Sequence, residues 1–216
     1  MTGRFERGDA GFSLAELVIA SLLFSMVIAG LAAIYGTVFQ QSGRILGNSR
    51  IKNQAAYALR AMQNQVTVAT HLEDPPRGVP GSQLSGCRNA KPDGTRIVPS
   101  PEKHGSFGFC LRNTAIRLCQ VPGNSPPCLF YYYWPNICPP PQVTPANCGN
   151  PVSGVSPEVL ASEVEGGAGG GNVFERSQEI TDVRIAFAVT KAKTRSHPKL
   201  SYAVDTTLHA HFGVSP

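Results

Sequence analysis

Between Leu17 and Phe39 the chain runs for 23 residues without a charge. Wound as an α-helix, such a run is roughly 35 Å long, enough to cross a bilayer with some tilt. A secretory signal has an apolar region of only about 7–15 residues, so the longer run reads as an anchor that stays with the protein. Only a short polar leader stands before it in the sequence as given. The expected plan is therefore one membrane helix followed by a folded domain.

One charge interrupts this reading. Glu16 lies at the head of the apolar run, in Gly11-Phe12-Ser13-Leu14-Ala15-Glu16. A carboxylate in hydrocarbon costs several kcal/mol unless it is paired, so an acid at this place is a functional expectation. Charges do not orient the anchor. In the leader Arg4 and Arg7 are offset by Glu6 and Asp9, and Arg44, Arg50 and Lys52 follow the apolar run.

The stretch Gly11 to Glu16, set before a long apolar helix, closely resembles the processing site of type IV prepilins and pseudopilins. The resemblance covers about the first 70 residues. It implies a leader of residues 1–11, cleaved by a prepilin peptidase between Gly11 and Phe12, and N-methylation of Phe12. It also implies that the new amine of Phe12 in one subunit meets Glu16 of its neighbour in a filament. Implied partners are other pilins or pseudopilins, the peptidase, an inner-membrane assembly platform and membrane lipid. The implied location is the bacterial inner membrane with a periplasmic C-terminal domain, and then a pilus or pseudopilus. Major pilins of this pattern commonly carry a proline within the membrane segment. None occurs here before Pro75, which points to a minor pilin or pseudopilin.

Without a proline, one helix is expected from Phe12 to about His71: residues 12–39 in the membrane and 40–72 as an amphipathic extension. Ile51, Ala55, Ala58, Leu59, Met62, Val66 and Ala69 recur at helical spacing and predict a stripe packed on a sheet. Arg50, Lys52, Arg60, Gln63 and Asn64 face away. Met62 and Tyr57 are expected in the core.

Residues 73–216 form the predicted extracytoplasmic domain. Charged residues are only 15% of the chain, while 22 Gly and 18 Pro make it loop-rich. Six cysteines, Cys87, Cys110, Cys119, Cys128, Cys138 and Cys148, are separated by 22, 8, 8, 9 and 9 residues. Zinc ligands usually come as closer pairs, so disulfides in an oxidising compartment are the better expectation. Six cysteines allow 15 complete pairings; Cys110–Cys119 is a candidate, set across an expected hairpin of "SFGFCL" and "AIRLCQV". Buried free thiols are the alternative. Residues 73–105 read as loop, "CLFYYYW" (128–134) as a strand, and 135–172 as a long loop tied down by Cys138 and Cys148. "SQEITDVRIAFAVTK" and "KLSYAVDTTLHAHF" alternate at strand spacing and predict a terminal hairpin. A long helix on an antiparallel sheet gives the α+β class.

No G-x-S-x-G, phosphate loop or H-E-x-x-H motif is present, and neither catalysis nor a cofactor or metal is expected. His209 and His211 share a strand face and suit a polar edge better than a metal. Glu158, Glu163 and Glu165 sit in an expected Gly-rich loop without acid/base geometry, and residues 166–171 read as a flexible linker. Lys191, Lys193, Arg195, His197 and Lys199 form a basic cluster at the expected hairpin tip. A solvated turn explains them; a DNA-uptake receptor or pilus-associated adhesin is the rival reading. Tyr131-Tyr132-Tyr133-Trp134 reads as core and edge rather than as a stacking platform. An enzyme held by a plain anchor is a distant third.

Overall fold

The computed structural model describes residues 13–91, 93, 95–97, 104–114, 116–120, 126–167, 171–178, 182–191 and 199–210. The chain divides into two compact units, Met1–Leu46 and Gly47–Pro216. Helix α1 spans Leu14–Val66.

In the first unit α1 is apolar and wholly exposed, with a stretch long enough to cross a membrane and no part of it buried. Three of its hydroxyls bond to backbone carbonyls within the helix. Ser21 donates to the Val18 carbonyl at 2.9 Å, Ser25 to Ser21 at 2.7 Å and Thr37 to Ile34 at 2.8 Å. This is the arrangement a segment surrounded by lipid requires, since no water is there to bond a stray donor.

In the second unit α1 buries Gly47, Ile51, Ala55, Ala58, Met62 and Val66; of the expected stripe, Leu59 is only half-buried and Ala69 is buried beyond the helix end. The expected outward residues Arg50, Lys52, Arg60, Gln63 and Asn64 are exposed. Tyr57 is corrected: it is 51% exposed and donates its hydroxyl to Glu158 Oε1 at 2.5 Å. The helix also stops five residues short of His71. Val66, Thr67 and Val68 are β-branched and lose rotamer freedom in a helix; Thr67 donates its hydroxyl back to Gln63 at 2.7 Å, and the chain turns into a strand.

The strands are β1 (Ala69–Asp74), β2 (Pro80–Gly81), β3 (Gln83–Arg88), β4 (Gly105–Arg112), β5 (Cys128–Pro135), β6 (Glu158–Ser162), β7 (Val164–Gly166), β8 (Phe174–Arg176), β9 (Asp182–Lys191) and β10 (Leu200–His209). One antiparallel sheet has the order β1-β3-β4-β5-β6. The other has the order β10-β9-β8-β2, with β7 also on β9. The α+β class, the strand at 128–134 and the terminal hairpin are as expected. Three expectations are corrected. Residues 73–105 are not one loop, because β3 threads between β1 and β4. The described part of "AIRLCQV", residues 116–120, is not a strand; it holds a short 3-10 turn at Arg117–Cys119. The stretch 135–172 contains β6 and β7, so Glu158 and Glu165 lie on strands rather than in a loop.

The first sheet is covered on both sides, which is why seven consecutive residues of β4 are buried. Phe107, Phe109 and Leu111 join Leu84, Leu129, the α1 stripe and Val183, Ile185, Phe187 and Val189 of β9 in one core. The alternate residues of β4 and β5 form a second core: Cys110, Phe130, Tyr132 and Trp134, with Cys119, Cys128, Val143 and Cys148. Its cover is residues 136–157.

Candidate functional site

The N-terminus of α1 is the first candidate. Glu16 N–H donates to Ser13 Oγ at 3.3 Å, and Ser13 N–H donates to Glu16 Oε2 at 3.0 Å. This reciprocal pair is a capping box, which satisfies two of the donors that every helix start leaves open. Glu16 therefore has a partner within its own chain. The signal was available as Ser13-x-x-Glu16, and a plain anchor does have a use for this glutamate. Gly11 and Phe12 lie outside the described residues.

The six cysteines come next. They pair as Cys87–Cys138, Cys110–Cys148 and Cys119–Cys128, and none is free. Cys110–Cys119 is thus corrected: with 117–119 in a turn, no hairpin opposes the two. Cys110 lies on the outer face of β4, where the chain around Cys148 covers it. Cys138 and Cys148 do tie down the long loop, through β3 and β4.

That loop is held as firmly by polar contacts. Tyr132 accepts from Gly149 N–H at 2.6 Å and donates to the Asn150 carbonyl at 2.9 Å. Trp134 donates to Val152 O at 3.0 Å, and Arg112 to Cys148 O at 2.6 Å and Ala146 O at 3.0 Å. Tyr132 and Trp134 stack at 5.2 Å with planes 5° apart. Two glycines make room. A Cβ on Gly108 would lie 3.1 Å from the Trp134 ring, and Gly149, at φ +81°, would drive one into Ile116 and Phe130. Tyr132 and Trp134 are thus core, as expected, while Tyr131 and Tyr133 are half-buried. Burial pushes the Tyr131 hydroxyl up to about 12.

The basic cluster is only partly visible. Lys193, Arg195 and His197 lie outside the described residues. Lys199 is paired with Glu165 at 2.7 Å, which holds that carboxyl below its usual range. Lys191 lines a groove of about 220 Å³ with Gly47, Arg50, Ile51, Gln54, Ser162 and Glu163. His209 sets Nδ1 2.7 Å from Asp182 Oδ1; His211 lies outside the described residues. A hollow of about 260 Å³ beside β8 and β9 contains Glu175 and Arg184, 3.5 Å apart. Arg184 is also held by Asp205 at 2.9 Å. Among the described residues no group of three His, Cys, Asp or Glu side chains is placed to hold a metal.

His71 on β1 is half-buried, with Arg176 and Arg77 close by. Burial first, and then these two cations, hold its imidazole below the ordinary value of 6.5. Arg176 itself is buried and donates to the Leu72 carbonyl at 2.8 Å, fastening β8 to β1.

No protein-family model, curated protein or solved structure matches this chain.

Proposed function

We propose that this protein is a structural subunit of a type IV pilus or related secretion filament, a minor pilin or pseudopilin. The observation that carries the reading is Gly11-Phe12-Ser13-Leu14-Ala15-Glu16 set at the head of an exposed apolar helix. The helix without proline, the helix stripe packed on antiparallel sheets and the fully oxidised cysteines support it. The disulfides suit a periplasmic domain.

On this reading the capping box has a second use. In an isolated chain Glu16 takes the neutral Ser13 N–H. Cleavage after Gly11 creates a cationic amine on Phe12, and a neighbour's amine offers Glu16 a full opposite charge where Ser13 N–H offers only a dipole. The gain is limited by the cost of desolvating both ions. Assembly then exchanges a partner within the chain for a better one between chains, and the pair sets the register of packing.

Intact mass tests the processing. Protein from cells with prepilin peptidase should be lighter by the eleven-residue leader and heavier by one methyl group than protein from cells without it. Equal masses would return the chain to a plain anchored protein.

A further inference from the structure

The two sheets end in unequal edges. In the first sheet β1 pairs with β3 through two register irregularities, and β6 pairs with β5 through one. In the second sheet β2 has two residues, one of them Pro80, and β7 has three. Short strands, bulges and proline are the devices that stop an edge from pairing with another chain. The remaining edge has none of them. All ten residues of β10 pair with β9 in unbroken register, and β10 contains no proline. Its one charged carboxylate, Asp205, is already held by Arg184 at 3.0 and 2.9 Å. Among the described residues no strand lies beyond it.

The core also thins toward this edge. On β9 Val183, Ile185, Phe187 and Val189 are at most 2% exposed, whereas on β10 Tyr202 is 39% exposed and Val204 only half-buried. A row of open backbone donors and acceptors beside half-covered apolar side chains fits an extended strand, because only an extended backbone matches the spacing.

We propose that β10 is a self-pairing edge, whose occupant is β10 of a second copy of this chain, antiparallel about a two-fold axis at Val204. The register follows from the residues. Even-numbered positions face the core and odd-numbered positions face out, so a pairing that keeps both cores on one side centres on a residue. Centring on Val204 sets Val204 against its twin, Tyr202 against Thr206, Leu200 against Leu208 and Ser201 against Thr207. It sets Lys199, itself paired with Glu165, across from His209, whose partner is Asp182, so no like charges meet. Centring on Asp205 would put two carboxylates face to face, which disfavours that register. Centring on Ala203 shortens the overlap and leaves Leu208 without a partner. The proposal does not rest on the filament reading.

Because no native cysteine is free, an added one reports the contact in the full-length, membrane-inserted protein. Val204→Cys should give a covalent dimer on non-reducing electrophoresis, with the 204–204 cross-linked peptide identified by mass. Ser201→Cys and Thr207→Cys, both exposed, should stay monomeric when expressed singly and form a mixed dimer when co-expressed. The mixed dimer keeps the test sound if the change at Val204 disturbs folding. Absence of both dimers overturns the proposal, as does equal cross-linking of the single 201 and 207 variants, or cross-linking to a different protein in place of a second copy.

Discussion

The two faces of the first sheet are covered by different means. Toward α1 the cover is periodic: an alternating strand face meets a helix stripe of Ile51, Ala55, Ala58, Met62 and Val66. Apolar burial alone, at about 25 cal/mol per Å², is available to hold it. On the other face residues 136–157 bring almost no ladder of their own, with one isolated bridge between Val152 and Val155. There the fastening is covalent and polar: Cys110–Cys148, Cys87–Cys138, and the Tyr132, Trp134 and Arg112 side chains bonded to loop backbone. A segment without regular structure stays folded when its backbone groups are claimed by the sheet beneath it.

This contrast can be broken from either side. Phe109→Ala, in the helix-covered core, should cost about 3–5 kcal/mol, and denaturant unfolding should show the whole C-terminal unit losing stability together. Replacing Cys110 and Cys148 by alanine opens a loop of 38 residues, worth about 4 kcal/mol in the chain-entropy account. Hydrogen exchange should rise first at Gly149 and Val152, while β4 and β9 stay protected. Uniform loss of protection would mean that the two cores are one cooperative unit. Removing Cys119–Cys128, with a separation of only 9, should cost less, about 2.5 kcal/mol by the same relation.

Tyr132→Phe keeps the ring and its stack on Trp134 but leaves the buried Gly149 N–H without an acceptor. A loss of about 1–3 kcal/mol is expected, seen as a lower unfolding midpoint. The smallest effect is from pH. The His71 imidazole binds a proton less readily in the folded chain than in the unfolded one, so the unfolded state takes up more protons in that window. Stability should be fully present above pH 6.5 and fall as pH drops through the lower folded-state value. His71→Gln should flatten that part of the profile; an unchanged profile would assign it to other groups.

Much of the helix-covered face was legible in the residues. The α1 stripe and the alternation of β9 and β10 are periodic, and periodicity is local; "CLFYYYW" is an unbroken aromatic run set between prolines. The loop-covered face was legible only at Tyr132, Trp134, Cys138 and Cys148. β3 is written Gln83-Leu84-Ser85-Gly86-Cys87-Arg88, which carries little strand preference. It forms because β1 and β4 both offer it ladders and because Gly86 lets β1 close in: a Cβ there would lie 2.5 Å from the His71 carbonyl oxygen. Cys119 and Cys128 were equally opaque, since their pairing depends on a turn that no short-range pattern announces. At the N-terminus the opposite happened. Ser13-x-x-Glu16 is a local pattern that spells a helix cap, and the same glutamate is the one charge at the head of an apolar run.

That double identity of Glu16 allows a direct test of the assembly account. Glu16→Gln keeps a side chain able to complete the capping box and removes only the charge. The measurement is the amount of this protein in purified filaments or assembly complexes, relative to the amount in the membrane. The account predicts normal membrane insertion and near-complete loss of incorporation for Glu16→Gln, with incorporation largely retained by Ser13→Ala, which breaks the cap but keeps the carboxylate. Full incorporation of Glu16→Gln would contradict it and leave Glu16 as a helix cap.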